Sequence, residues 1–378
     1  MNIAFLTGIS IRSCSGGGSV HVSQVAEGLK RRGHKLYTNL PDEPGIFNGS
    51  GPGALLGDPA GIQAFYIRID GWPERDNLTQ HRRINRRAAC IWEVNAPVEE
   101  MRNHKMPESK IAWFNRRRRA LALLADAAVC VSEEMEDYAR SFLGIRRTCI
   151  VPNGSNPDIF SPGKKDPALY GTNRFKVIWV GSAEYRWQGI NLVRKAAERL
   201  LSIDREVQFL VTAEGPSTEN LRYLGRIPYD DIPRYVASAD VGLCIYENID
   251  YYPRFYFSPL KLFDYMASGL PVLGSDVGQI RRVIEENGNG IPAGNSVEDI
   301  VSGILRLKHG DGERREMGTR GREAVVARYN WGSIASRTEE ILIETLDRAK
   351  RGGMPGAIKY FFASRLVGRY RPNGGTTS

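Results

Sequence analysis

The chain has 378 residues, 42% of them hydrophobic and 25% charged, which is enough for more than one compact core and ordinary for a soluble globular protein. Its formal net charge of +9 is unevenly placed: 21 Lys+Arg face 17 Asp+Glu in residues 1–160, 24 face 26 in residues 161–347, and 7 face none in residues 348–378. Basicity therefore marks a tail, and without zinc-finger spacing or a basic-aromatic motif it excludes a body that reads nucleic acid.

The amino terminus, MNIAFLTGIS, reads as a strand with no basic flank or cleavage site, so no signal peptide is expected. No apolar run approaches the length of a spanning helix, and the five scattered cysteines fit buried free thiols in a reducing compartment. After the strand IAFLT comes the loop SGGGS. It leads into a helix with Val22, Val25, Ala26 and Leu29 on one face and a stop at Gly33. Strands are predicted at 64–69, 89–94, 127–132 and 148–151, alternating with helical segments, a rhythm that implies a parallel sheet covered on both faces. Residues 152–173, with four prolines and three glycines, interrupt it as a linker. The rhythm restarts at FKVIWV (175–180) and continues through a helix at 190–201 and the strands VQFLVT, DVGLCIY and LPVLGS. The expected fold class is α/β with two doubly wound Rossmann-like domains, 1–163 and 164–330. A terminal helical segment and basic tail, 331–378, return toward the first domain.

Three loop-to-helix junctions offer backbone N–H groups to an anion. SGGGS (15–19) does so with Gly17 and Gly18, although an ordinary tight turn is an equal reading; His21 occupies the place of the third glycine of a dinucleotide fingerprint, and no Walker lysine follows. His21 itself, in the first turn of the helix, is read as a satisfied surface histidine in preference to one that reaches a ligand beside SGGGS. VGSAEYRWQG (180–189) repeats the geometry with Gly181, Ser182 and one cation, Arg186. In YFSPLKLFDYMASGLPV (256–272), Ser258 is read as N-cap and Pro259 as first helical residue. Leu260 and Lys261 follow, and Asp264 sits in an apolar run where a carboxylate needs a partner: a ligand's sugar diol, or Arg254 or Lys261. WEVNAPVEE (92–100) puts Glu93, Asn95 and Glu99 or Glu100 at a strand end, where acceptor contacts or a plain acidic helix start are both open. Arg116 to Arg119 read as a solvated face. None of the 18 aspartates has another two positions away, and no histidine pair has ligand spacing, so no metal or cofactor is expected.

SGGGSVHVSQVAEGLKRRGHKLY, VCVSEEMEDYA, IVPNGSNPDIFSP and SPLKLFDYMASGLPVLGSD together resemble the GT-B glycosyltransferases, specifically the retaining nucleotide-sugar enzymes of family 4. The resemblance implies two domains with a cleft between them and a donor on the second. It also implies that main chain near Arg226 and Ile227 reads the base, that Asp264 replaces a ribose-binding glutamate, and that residues 258–261 meet the diphosphate, with Gly17 or Gly18 approaching from the first domain. Four positions depart from the family. Tyr256 stands where its first glutamate is frequent, Ser182 and Gln188 stand where an arginine and a lysine neutralise the leaving group, and Asn95 is nearest to a frequent histidine. A subgroup with W-[HQ]-G and SPLK matches better, and there the charge falls to Arg186, Lys261 or Arg254. The function this implies is metal-independent, retaining transfer of a sugar from a nucleotide diphosphate to a saccharide or lipid-linked acceptor in cell-surface polysaccharide or glycoconjugate synthesis. The expected setting is cytoplasmic, with residues 354–371 an amphipathic basic helix for an anionic membrane surface or for docking on the first domain. A non-catalytic nucleotide-sugar binding module and a GT-B sugar epimerase are the alternatives.

Overall fold

The computed structural model describes residues 1–9, 16–38, 47–48, 61–70, 88–169, 171, 173–247 and 255–351, with backbone alone at 47–48 and 186. The described residues form two compact units, one drawn from Met1–Pro152, Tyr251–Phe257 and Ile334–Ser378, the other from Asn153–Asp250 and Ser258–Ser333. The expected boundary at 163/164 thus lies inside the second unit. The reason is local: Asn153 and Ser155 hydrogen-bond to Ser258 and Asp264 of that unit.

In the first unit β1 (Asn2–Leu6), β2 (Lys35–Thr38), β3 (Phe47–Asn48), β4 (Ala64–Ile69), β5 (Ala89–Val94), β6 (Ala127–Cys130) and β7 (Thr148–Ile150) form a parallel sheet in the order β3-β2-β1-β4-β5-β6-β7. The helices α1 (Gly17–Arg31), α2 (Glu108–Leu121) and α3 (Glu133–Asp137) come from the crossovers. Strands β4 and β5 are buried at every residue, as a sheet covered on both faces requires. Arg118 of α2 contradicts the solvated reading of its run, being fully buried. Its guanidinium donates to the carbonyls of Ala96 (3.1 Å) and Asp70 (2.7 Å), spending the charge on strand ends.

The second unit comprises β8 (Phe175–Trp179), α4 (Ile190–Leu201), β9 (Val207–Val211), β10 (Leu221–Tyr223), α5 (Ile232–Ala237), β11 (Val241–Cys244), α6 (Leu260–Ala267), β12 (Val272–Ser275), α7 (Gly278–Asn287), β13 (Gly290–Ala293), α8 (Val297–His309) and α9 (Asp311–Ala327). Its parallel sheet runs β10-β9-β8-β11-β12-β13. In both sheets the strand order reverses beside the first strand, between β1 and β4 and between β8 and β11, and doubly wound sheets bind ligands at the carboxyl ends of that junction. The last helix, α10 (Trp331–Lys350), joins the first unit from Ile334 onward, where Glu339 accepts from Arg32 (2.5 Å) and lies 2.7 Å from His34 Nε2. Residues 354–371, the expected membrane or docking helix, lie outside the described residues. Among those described, no helix is long and apolar enough to cross a membrane.

Candidate nucleotide-sugar site

At the junction in the second unit, β8 and β11 each end on an aromatic side chain, Trp179 on the strand and Tyr246 two residues past it. Between them lies the ammonium of Lys261, 4.6 Å from the Trp179 ring centroid and 4.9 Å from that of Tyr246. Lys261 is 8% exposed, and its Nζ has no hydrogen-bond partner among the described residues. Burial draws its pKa down from 10.5 to about 8. The ring faces supply cation–π attraction, but not the counter-charge a buried ammonium needs.

The helix that carries Lys261 begins differently from the expected pattern. Pro259 is the extended N-cap residue of α6, with Leu260 the first helical position, and Ser258 does not cap it. The Ser258 hydroxyl instead accepts from the Asn153 amide at 2.9 Å, and its carbonyl accepts from the Asn153 side chain. Asp264, one turn on, is 8% exposed and pushed up to about 7 by burial, while a hydrogen bond from Ser155 Oγ at 2.6 Å pulls the other way. Lys261 is not its partner, which removes one of the structural readings; Arg254 lies outside the described residues.

The loop after β8 is folded by Gln188. Its Oε1 accepts from the Ser182 amide (3.2 Å), and its carbonyl accepts from Trp179 Nε1 (3.2 Å). A lysine there could not accept the first bond. Gly181 has no room for a side chain, since a Cβ would fall 2.5 Å from Gln188 Oε1 and 2.8 Å from the Trp179 ring. Gly189, at φ +82°, opens α4 with its Cα side pressed on the Ile245 carbonyl. Arg226 is exposed and pairs with Glu184 at 2.6 Å; with Ile227 it follows Gly225, which turns at φ +75°. The Arg186 side chain lies outside the described residues.

In the first unit the corresponding junction is already charge-compensated. Glu93 at the end of β5 is fully buried. Its Oε1 accepts from Arg68 Nη1 and Asn95 Nδ2 and lies 2.8 Å from His21 Nε2. Burial alone would raise its pKa, but His21 and Arg68 more than reverse this and hold the carboxyl well below the usual range. His21 is therefore a buried partner of Glu93 and not a surface histidine; the missed signal was its position in the first turn of a helix opposite a strand-end glutamate. The helix α1 starts at Gly17, and a Cβ on Gly18 would approach Ile9 Cδ1 to 3.0 Å and Arg68 Nη2 to 3.9 Å. Glu99 accepts from Asn115 at 2.6 Å, while Glu100 is the acid pushed up to about 7, by burial and by Asp70. Tyr256 packs edge-on to Tyr138, and its carbonyl accepts from Ser132.

Three comparisons bear on this geometry. Residues 188–341 match the family model described as glycosyl transferase-like. Sucrose-phosphate synthase from Thermosynechococcus elongatus superposes with a TM-score of 0.70 at 17% identity, covering 92% of this chain and 99% of that one. The fold is GT-B. Anabaena HepE, solved with UDP-glucose, shares the GT-B fold at a TM-score of 0.64 and 15% identity, covering 91% of this chain and all of that one. A phosphatidyl-myo-inositol mannosyltransferase from Mycobacterium leprae (strain TN) is 26% identical over 359 residues, 85% of this chain and 91% of that protein. The resemblance carried by SPLKLFDYMASGLPV thus stands, and the comparisons together support a glycosyltransferase. Among the described residues no cluster of three or more His, Cys, Asp or Glu is placed to hold a metal ion.

Proposed function

We propose that the chain transfers a sugar, with retention and without a metal ion, from a nucleoside-diphosphate sugar held on its second unit to a saccharide or lipid-linked acceptor. The observation that carries this is Lys261: a buried ammonium without a hydrogen-bonding partner among the described residues, at the junction of a doubly wound sheet and beside the start of α6. A diphosphate there would supply the missing counter-charge. As the glycosidic bond to the leaving group breaks, negative charge grows on the diphosphate, and a preorganised cation stabilises that change more than it stabilises the bound donor. Arg186 shares this role, the amides of Leu260 and Gly181 and the hydroxyl of Ser182 face the phosphates beside it, and Asp264 accepts from the ribose diol. The base lies against main chain at Arg226 and Ile227, with Ser258 and Pro259 shaping the start of the helix. On the first unit Asn95 takes a catalytic role, Gly17 or Gly18 offers main-chain amides to phosphate, and Glu99 serves the acceptor side. Glu93, fully buried against Arg68, His21 and Asn95, serves it by positioning.

The acceptor of the mycobacterial relative, as its name gives it, is a phosphatidylinositol, which favours a lipid-linked acceptor here. The seven cations and absent acids of residues 348–378 suit an anionic membrane surface and peripheral attachment at its cytoplasmic face. The test is turnover of nucleotide sugars with lipid extracts as acceptor. Lys261→Ala is expected to lower turnover about 100-fold, the scale of one lost charge-stabilising group, with little loss of folding. One observation favours a non-catalytic binding module instead: Tyr256, where family members often carry a carboxylate, is committed to Ser132 and Tyr138. Nucleotide binding without any acceptor-dependent product would select that second reading.

A further inference from the structure

The segment Asn153–Phe160 runs along α6 and is tied to it at three points. Asn153 bonds to Ser258 before the helix, Ser155 to Asp264 within it, and Arg322 of α9 joins the carbonyls of Pro157 and Phe160 to that of Ala267 at its end. Of these ties, that of Ser155 reaches the carboxylate proposed to hold the ribose. Ser155 is fully buried, and its own backbone is fixed: its amide donates to the Tyr329 carbonyl at 2.9 Å, in a parallel bridge with Asn330. From that fixed backbone its hydroxyl donates to Asp264 Oδ1 at 2.6 Å.

We propose that Ser155 is a positioning residue for nucleoside binding, holding one oxygen of the Asp264 carboxylate so that the other faces the ribose diol. An aspartate is one methylene shorter than the glutamate common at this position, and a fixed neighbour can set its rotamer where length does not. A serine donor also favours the ionised carboxylate, the form that accepts two hydroxyls. The other charged and titratable groups on the surrounding described elements are otherwise engaged. Lys261 lies on the Trp179 and Tyr246 rings, and Tyr265 accepts from the Val180 amide. Cys244 of β11 is a thiol that burial pushes up to about 12, Arg234 of α5 pairs with Asp231, and Arg322 is spent on carbonyls. Ser155 is thus the described hydrogen-bond donor that tunes Asp264.

The inference rests on Asp264 being the ribose ligand, and the experiment separates the two. Affinities of uridine and guanosine diphosphates and their 2′-deoxy forms are measured by calorimetry from pH 6 to 8.5 for the parent and for Ser155→Ala, Ser155→Gly and Ser155→Thr. The parent should prefer the ribose forms. Losing the hydroxyl should cut that preference about five- to tenfold at pH 7 and move the acid limb of the pH profile up by about 0.5 to 1 unit. Binding of the 2′-deoxy forms, which leave Asp264 only the 3′-hydroxyl, should fall less than that of the ribose forms, and Ser155→Thr should restore the parent profile. If the parent binds both forms equally, the ribose assignment of Asp264 falls. If the parent discriminates and Ser155→Ala keeps its ratio and pH profile, the role of Ser155 falls. Failure of both the alanine and glycine proteins to fold would make Ser155 a structural residue and also overturn it.

Discussion

Two buried carboxylates, one in each unit, meet opposite fates. Glu93 is surrounded by Arg68, His21 and Asn95, which gather on its Oε1 and compensate its charge within the protein, although its Oε2 and Arg68 Nε have no hydrogen-bond partner among the described residues. Asp264 has a single neutral donor, Ser155, and is pushed up to about 7. The cations divide in the same way: Arg68 is paired with Glu93, whereas Lys261 lies between aromatic rings without a hydrogen-bonding partner among the described residues. A fold gains stability from a buried charge only when it supplies the partner, so an unsupplied charge marks where a ligand completes the site. On this account the junction in the first unit is a finished structural node, and the one in the second is a site held ready.

The largest expected effect is at the finished node. Arg68→Met or Glu93→Gln breaks a buried pair and should cost about 3–5 kcal/mol in urea unfolding. A change below 1 kcal/mol would mean the node is not load-sharing and would erase the contrast. The opposite sign is expected at the second junction. Lys261→Met removes an uncompensated charge and should leave the ligand-free protein as stable as the parent or more so, while abolishing the diphosphate-dependent gain in melting temperature. Asp264→Asn should weaken nucleotide binding by about 1–3 kcal/mol, the scale of hydrogen bonds to a charged group, with the fold kept.

Acidity sharpens the same comparison. Glu93 is depressed, so its stabilisation is present above its unfolded pKa of about 4.3 and is lost as pH falls below that toward the folded value. Asp264 is raised, so its contribution is full below an unfolded value of about 3.9 and is lost as pH climbs through 7. Lys261 is lowered, so between about 8 and an unfolded value of about 10.4 the unfolded chain binds the extra proton and stability recovers as pH rises. The ligand-free second unit should then be least stable near pH 7 to 8, where Asp264 is ionised and Lys261 still charged. Nucleotide affinity should peak in that same window, and an affinity flat from pH 6 to 9 would contradict both assignments. The smallest effect is at the loop after β8: Gln188→Lys strands the Ser182 amide and should cost about 1 kcal/mol, by thermal denaturation, without adding a useful cation.

Much of this was legible along the chain, and the illegible part has a common cause. Apolar runs of five or six residues alternating with amphipathic helices identify both parallel sheets, because strands buried on two faces must read that way. Asp264 and Lys261 stand out for the same reason, a charge inside an apolar run. Their surroundings do not: Ser155 lies 109 positions from Asp264, and Tyr246 and Trp179 meet at Lys261 only once β8 and β11 are neighbours. Arg118 sits in a run of four arginines, where nothing local tells a buried partner from a solvated one, and His21, between Val20 and Val22, has its partner Glu93 on a strand far along the chain. The start of α6 was misplaced by one residue because Ser-Pro allows either residue as cap, and the choice was made by Asn153, which draws the Ser258 hydroxyl to its own amide.

The most direct test of the account compares the parent with Lys261→Met in calorimetric titrations at pH 7.5 with uridine and guanosine and their mono- and diphosphates. The parent should bind at least one diphosphate far more tightly than its nucleoside, and Lys261→Met, folded and no less stable, should lose most of that increment. A variant that keeps the full diphosphate increment would show that the buried ammonium of Lys261 is not waiting for the donor's phosphates.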